Sequence, residues 1–308
     1  MKRFFVAIAT LALAASLASA QDFKAAVDAF NAGAQALESN KTEALAQFRS
    51  ALAQAQACTE EEAAELVANC KKIIPGTILS IAEEQINTGS YDQALATLGE
   101  ASAAAAEFGA SEVAEEAGNL LPNVYLRKGT TLLKEKDFAG AATAFKNVVE
   151  LDPENGQAQL LLGQSLTQTG AIDEAIAAYE KAYGLGKEEQ AGKQLSTAFL
   201  KKGQALMKAG KNAEAVEAFE KSASYSESPN AYKLMASALT KSGKSAKAID
   251  AYKKYLEIAP DAKDAADIIF TIAATAQKAG DKATAKEYYQ KLSGTKYAEQ
   301  AAAQLKTL

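Results

Sequence analysis

The sequence predicts an all-α chain of antiparallel helix pairs, and three observations predict it. Small residues recur in pairs 12 positions apart along most of the chain, each pair followed four positions later by a large apolar residue. Alanine is abundant and only 5 prolines occur in 308 residues, a composition that favours helix. Glycines separate the paired apolar stretches, where a helix ends and the backbone turns left-handed.

The first element reads as an export signal. Lys2 and Arg3 precede an uncharged apolar run from Phe4 to Leu17, and Ala18-Ser19-Ala20 supplies a small-residue cleavage pattern. That run of 14 residues is shorter than the roughly 20 a spanning helix needs. Gln21, not Cys, follows the cleavage point, so no lipid anchor is indicated. The expectation is a soluble, exported protein of a bacterial periplasm, cleaved after Ala20.

The helix pairs come next. One stretch reads GTTLLKEKDFAGAATAFKNVVELDP from Gly129, another GQALMKAGKNAEAVEAFEKSASYSESP from Gly203, and a third ASALTKSGKSAKAIDAYKKYLEIAP from Ala236. Laid along the chain, the first small place holds Ala32, Ala82, Gly129, Gly163, Gly203, Ala236 and Ala273. The second holds Ala44, Ala94, Ala141, Ala175, Ala215, Ala248 and Ala285. A large side chain would force the two helices of a pair apart where they cross, so small residues meet there. Phe48, Leu98, Phe145, Tyr179, Phe219, Tyr252 and Tyr289 then fill the wedge beside each crossing as core residues. Gly89-Ser90, Gly170, Gly210, Gly243 and Gly280 mark turns inside the pairs.

This pattern resembles the tetratricopeptide repeat, a helix-turn-helix unit of about 34 residues. The resemblance implies a right-handed superhelical solenoid of antiparallel helix pairs, each burying its apolar face against its neighbours. Seven units fall near 25–58, 75–108, 122–155, 156–189, 196–228, 229–262 and 266–296, with 297–308 as a capping helix. Two Glu/Ala-rich insertions, 59–74 and 109–121, are expected to be extended or doubled helices, kinked or restarted at Pro75 and Pro122. Thr59 stands as N-cap with Glu62 reaching back to it, and Lys71 and Lys72 then lie near a helix end.

Composition narrows the function. The net charge of −5 becomes −7 once Lys2 and Arg3 are removed, an acidic balance that argues against a nucleic-acid footprint. With no His, a His-based triad, general base or metal ligand is excluded, and two Cys cannot complete a tetrahedral Cys/His zinc site. The glycines punctuate turns at the repeat period and form no phosphate loop, and the carboxylates scatter over solvated faces. No catalytic residue, metal or cofactor is indicated, and the chain reads as a non-enzyme.

Cys58 and Cys70 leave two alternatives. An even pair of thiols in an exported chain suggests a disulfide. On one straight helix, however, they would lie about 18 Å apart, and a bridge needs Cα atoms within about 7 Å.

The family resemblance also implies that the first helix of each unit lines a concave groove for an extended peptide or a partner helix. One inward place holds Leu37, Asn87, Lys134, Gln168, Lys208, Lys241 and Lys278. Neighbouring places add Glu83, Thr130, Gln164 and Gln204, with Leu79, Leu126, Leu160, Leu200 and Phe270 as apolar footing. A row of lysines and amides on an acidic protein suits a carboxylate or an acidic segment. The lysines also suit the last turn of each first helix through the helix dipole alone. They do not reproduce the Lys/Asn/Arg arrangement by which the family clamps chaperone tails. The expected function is a periplasmic scaffold or adaptor gripping a peptide or helix of a cell-envelope partner, with self-association as a further option. The alternative is an accessory solute- or glycan-binding protein of an outer-membrane uptake system, weakened by the absence of Trp.

Overall fold

The structure, a computed structural model, describes residues 19–58 and 61–308, with side chains from residue 23 onward. The signal segment and the Thr59 cap lie outside the described residues. The helices are α1 (Ser19–Ala36), α2 (Lys41–Ala57), α3 (Glu61–Thr88), α4 (Tyr91–Phe108), α5 (Ser111–Lys134), α6 (Phe138–Leu151), α7 (Gly156–Thr169) and α8 (Ile172–Gly184). They continue as α9 (Glu188–Lys208), α10 (Asn212–Tyr225), α11 (Pro229–Lys241), α12 (Ser245–Ile258), α13 (Ala265–Lys278), α14 (Lys282–Gln290) and α15 (Ala298–Leu305). The described residues contain no strand, so the protein is an all-α solenoid of helix pairs. None of these helices is long and apolar enough to cross a membrane.

The small-residue rule has a visible cause. A Cβ placed on Gly129 would meet the Phe145 ring at 2.7 Å, one on Gly163 the Tyr179 ring at 2.6 Å, and one on Gly203 the Phe219 ring at 2.5 Å. The seven residues at the wedge place are all buried, as are the seven alanines of the second small place. In the first pair the register differs by one. Ala32 is exposed, and Gly33 is the buried residue, its Cβ position 2.8 Å from the Phe48 ring. Gly33 and Ala44 are 11 residues apart rather than 12, and the connection between α1 and α2, residues 37–40, is four residues long where the other pairs have two or three. Leu37 accordingly lies just past the end of α1, half-buried against the core.

Side-chain caps start several helices. Asn40 accepts from the Glu43 N–H at 3.1 Å, Asp137 from Gly140 at 2.9 Å, Asn155 from Ala158 at 3.0 Å and Asp281 from Thr284 at 3.0 Å. Five pairs turn at a glycine with φ between 72° and 85°: Gly89, Gly170, Gly210, Gly243 and Gly280. In the pair α5/α6 that place belongs to Lys136, at φ 64°.

α3 and α5 run unbroken through Pro75 and Pro122. Lys71 and Lys72 therefore sit in mid-helix, not near a helix end. Each proline forgoes one backbone hydrogen bond. In α3 the surrounding burial of Ile73, Ile74, Pro75 and Ile78 offsets that loss. The two cysteines do not share a helix: Cys58 closes α2 in extended conformation, and Cys70 lies within α3. The premise of a straight helix joining them is thereby removed. The Cys58 thiol donates to the Gln54 carbonyl at 3.3 Å, while burial pushes the Cys70 thiol up to about 11.

The helices group into two compact units. One takes α1 to α5 and Thr143–Asp152, and the other takes Asp137–Ala142 and Pro153–Leu308. The first is cored by Phe30, Phe48, Leu66, Cys70, Ile78 and Leu98. At the end of the second, Tyr297 stacks on Phe270 at 4.6 Å, Gln277 and Gln304 bond at 3.0 Å, and α15 packs on α14.

Candidate protein-interaction surface

Helix packing defines an inner side within each unit. From α1 to α5 and from α7 to α15 each helix touches the next in sequence, but second-neighbour packing runs between first helices: α1 with α3, α3 with α5, α7 with α9, and α9 with α11. First helices that approach more closely than second helices place themselves on the inside of a curve. Glu83 on α3 reports the same geometry. It keeps solvent contact, yet partial desolvation raises its pKa, aided by the carboxylate of Glu116 on α5 and opposed by Lys41.

The sequence-derived row falls on these first helices. Asn87 lies near the end of α3 and Lys134 ends α5, both in the first unit. Gln164 and Gln168 lie on α7, Gln204 and Lys208 on α9, Lys241 on α11 and Lys278 on α13, all in the second unit. All eight are exposed. Each lysine occupies the last turn of its helix, where carbonyl dipoles favour a cation.

What distinguishes the row is its lack of intramolecular partners. None of the four lysines forms an ion pair among the described residues, whereas many neighbouring lysines do. Lys128 and Lys202 each precede the small glycine of a first helix. Each reaches back to the second residue of the preceding helix, Lys128 to Asp92 and Lys202 to Asp173, the latter at 2.7 Å. These bonds join successive pairs. The row lysines instead offer solvated ammonium groups beside amide donors and acceptors, a surface able to receive carboxylates and backbone carbonyls. Exposed Lys pairs contribute little to stability in any case, about 0–1 kcal/mol each.

Some features escaped the spacing rules. Phe270, counted as inward apolar footing, is half-covered by Tyr297 from the segment before α15. Lys233 on α11 pairs with the Asp264 carboxylate at 2.5 Å, and the Tyr255 hydroxyl of α12 donates to the same carboxylate. This clamp ties three helices at the start of α13. Hydrogen bonds from Lys233 and Tyr255 hold the Asp264 pKa below its ordinary value, and burial with the Asp264 bond pushes Tyr255 up to about 12. A second aromatic group joins Tyr183, Tyr225 and Phe199, with ring centroids 5.5 and 5.9 Å apart, at the ends of α8 and α10. Among the described residues no three His, Cys, Asp or Glu gather as metal ligands would.

Helix pairs crossing at small residues, with wedge aromatics beside them, define a helical-repeat solenoid of the interaction-scaffold class. The Tetratricopeptide repeat model matches residues 126–190 and 200–263. Over those residues the chain consists of tetratricopeptide repeats. No curated protein matches it in sequence. Among solved structures, MamA is 23% identical, covering 60% of this chain and 96% of its own, with a TM-score of 0.40. YrrB, described as a repeat protein with an unusual peptide-binding site, is 19% identical over 60% and 91%, with a TM-score of 0.37. PilF of Pseudomonas aeruginosa is 18% identical over 76% and 99%, with a TM-score of 0.35.

Proposed function

We propose that this protein is a non-catalytic scaffold or adaptor, exported to the periplasm with Gln21 as its first residue. It binds a peptide or helix of a cell-envelope partner along the inner side of its first helices. The observation that carries the binding face is the set of exposed last-turn lysines, Lys208, Lys241 and Lys278, with no ion pair of their own among the described residues. Gln164, Gln168 and Gln204 flank them with groups suited to a peptide backbone. The second unit therefore favours a partner segment bearing carboxylates, steered to it electrostatically. Export rests on the sequence of the first twenty residues, and N-terminal sequencing of the protein from the periplasm tests it.

A labelled hexaglutamate peptide tests the face. Its fluorescence anisotropy should rise with the wild-type protein at low salt, and the rise should fall several-fold with Lys208→Glu/Lys241→Glu. Equal binding by both proteins would place the site elsewhere. No specific observation favours a glycan reader. Among the described residues the one aromatic in the set of exposed large apolar side chains is Tyr183, on a second helix.

A further inference from the structure

The net charge conceals a division that follows the two compact units. From Gln21 onward the first unit holds 19 acidic and 10 basic residues, a balance of −9, and the second holds 19 and 21, a balance of +2. The excess stands open on both. Glu112, Glu115 and Glu116 at the start of α5 are exposed and form no ion pair among the described residues, and Glu116 faces Glu83 of α3 closely enough for the carboxylates to repel. On the second unit Lys208, Lys241 and Lys278 are equally exposed and equally without an ion pair. Each surface lacks within its own unit the counter-charge that the other displays.

We infer that the lysine row of the second unit receives the acidic α5 start of the first unit of another copy of this chain, so that copies associate head to tail. This rests on the row being a binding face, as proposed above, and it names the occupant. The two faces of such a contact are different surfaces, so the contact is heterologous. Assembly then continues past a dimer into a ring or an open chain. Opposed charge supplies orientation and encounter rate more than affinity. Association of this kind weakens once salt shortens the screening length to less than about 8 Å.

Sedimentation velocity of the purified protein tests it. At low salt the weight-average mass should rise with concentration beyond that of a dimer, and it should return to that of a monomer in about 0.5 M NaCl. Lys208→Glu/Lys241→Glu/Lys278→Glu and Glu112→Lys/Glu115→Lys/Glu116→Lys, each checked for helical circular dichroism, should stay monomeric alone and associate when mixed. A wild-type protein that is monomeric at every concentration, or that associates regardless of salt, overturns the inference. So does a pair of variants that fail to associate when mixed. Hexaglutamate binding that persists in a strictly monomeric wild type would overturn the second copy as occupant while leaving the lysine row as the binding face.

Discussion

A Cβ on Gly203 would lie 2.5 Å from the Phe219 ring, while one on Gly76 of α3 would meet nothing within 4 Å. The two helical glycines should thus respond in opposite directions to the same change. Gly203→Ala forces a buried ring to move and should cost about 1–3 kcal/mol. Gly76→Ala should add about 0.5–1 kcal/mol by restraining the unfolded backbone. Chemical denaturation midpoints check both, and equal effects would show that the ring is not wedged against the crossing. Lys136 is the mirror case. At φ 64° it holds the left-handed place that glycine fills in five other pairs. A left-handed residue with a Cβ costs about 1–2 kcal/mol, so Lys136→Gly should raise the denaturation midpoint.

Individual elements depart from the simple repeat where side chains outside the pattern bind them. The α11–α13 junction depends on the clamp of Lys233, Tyr255 and Asp264. Because the folded Asp264 pKa is depressed, its contribution is whole above the ordinary carboxylate range and is lost as pH falls through the folded value. Asp264→Asn should therefore lower the thermal midpoint at neutral pH, and the difference from wild type should shrink toward pH 3, a change that scanning calorimetry at several pH values would resolve. α3 and α5 show why element boundaries were harder to read than element type. Proline marks a helix boundary by local rules, but in α3 a buried apolar stretch around Pro75 outweighs one missing hydrogen bond. The offset of Ala32 and Gly33 has a similar origin. Spacing alone cannot distinguish adjacent small residues when the turn that follows has its own length, four residues here against two or three in the other pairs.

For the molecule as a whole, the twelve-residue spacing was legible because it reflects a volume limit that every crossing must satisfy. Gly163 against Tyr179 and Gly203 against Phe219 show that limit directly. The make-up of the lysine row was legible from helix periodicity, and its inward placement only from the family resemblance. Its lack of ion pairs was not, because Lys202 and Lys208 look alike in sequence and only packing gives Lys202 its Asp173. Charge segregation could be counted only once the division into two units was known. The covering of Phe270 by Tyr297 is a tertiary contact that no local spacing announces.

The central claim is that the unpaired lysines on the inner side of the second unit hold a partner. Affinity capture from envelope extract, with wild type and Lys208→Glu/Lys241→Glu compared by quantitative mass spectrometry, tests it most directly. The account predicts a defined set of proteins on the wild type, reduced several-fold on the variant while the variant keeps its helical circular dichroism and melting temperature. The same proteins recovered in equal yield on both would contradict it.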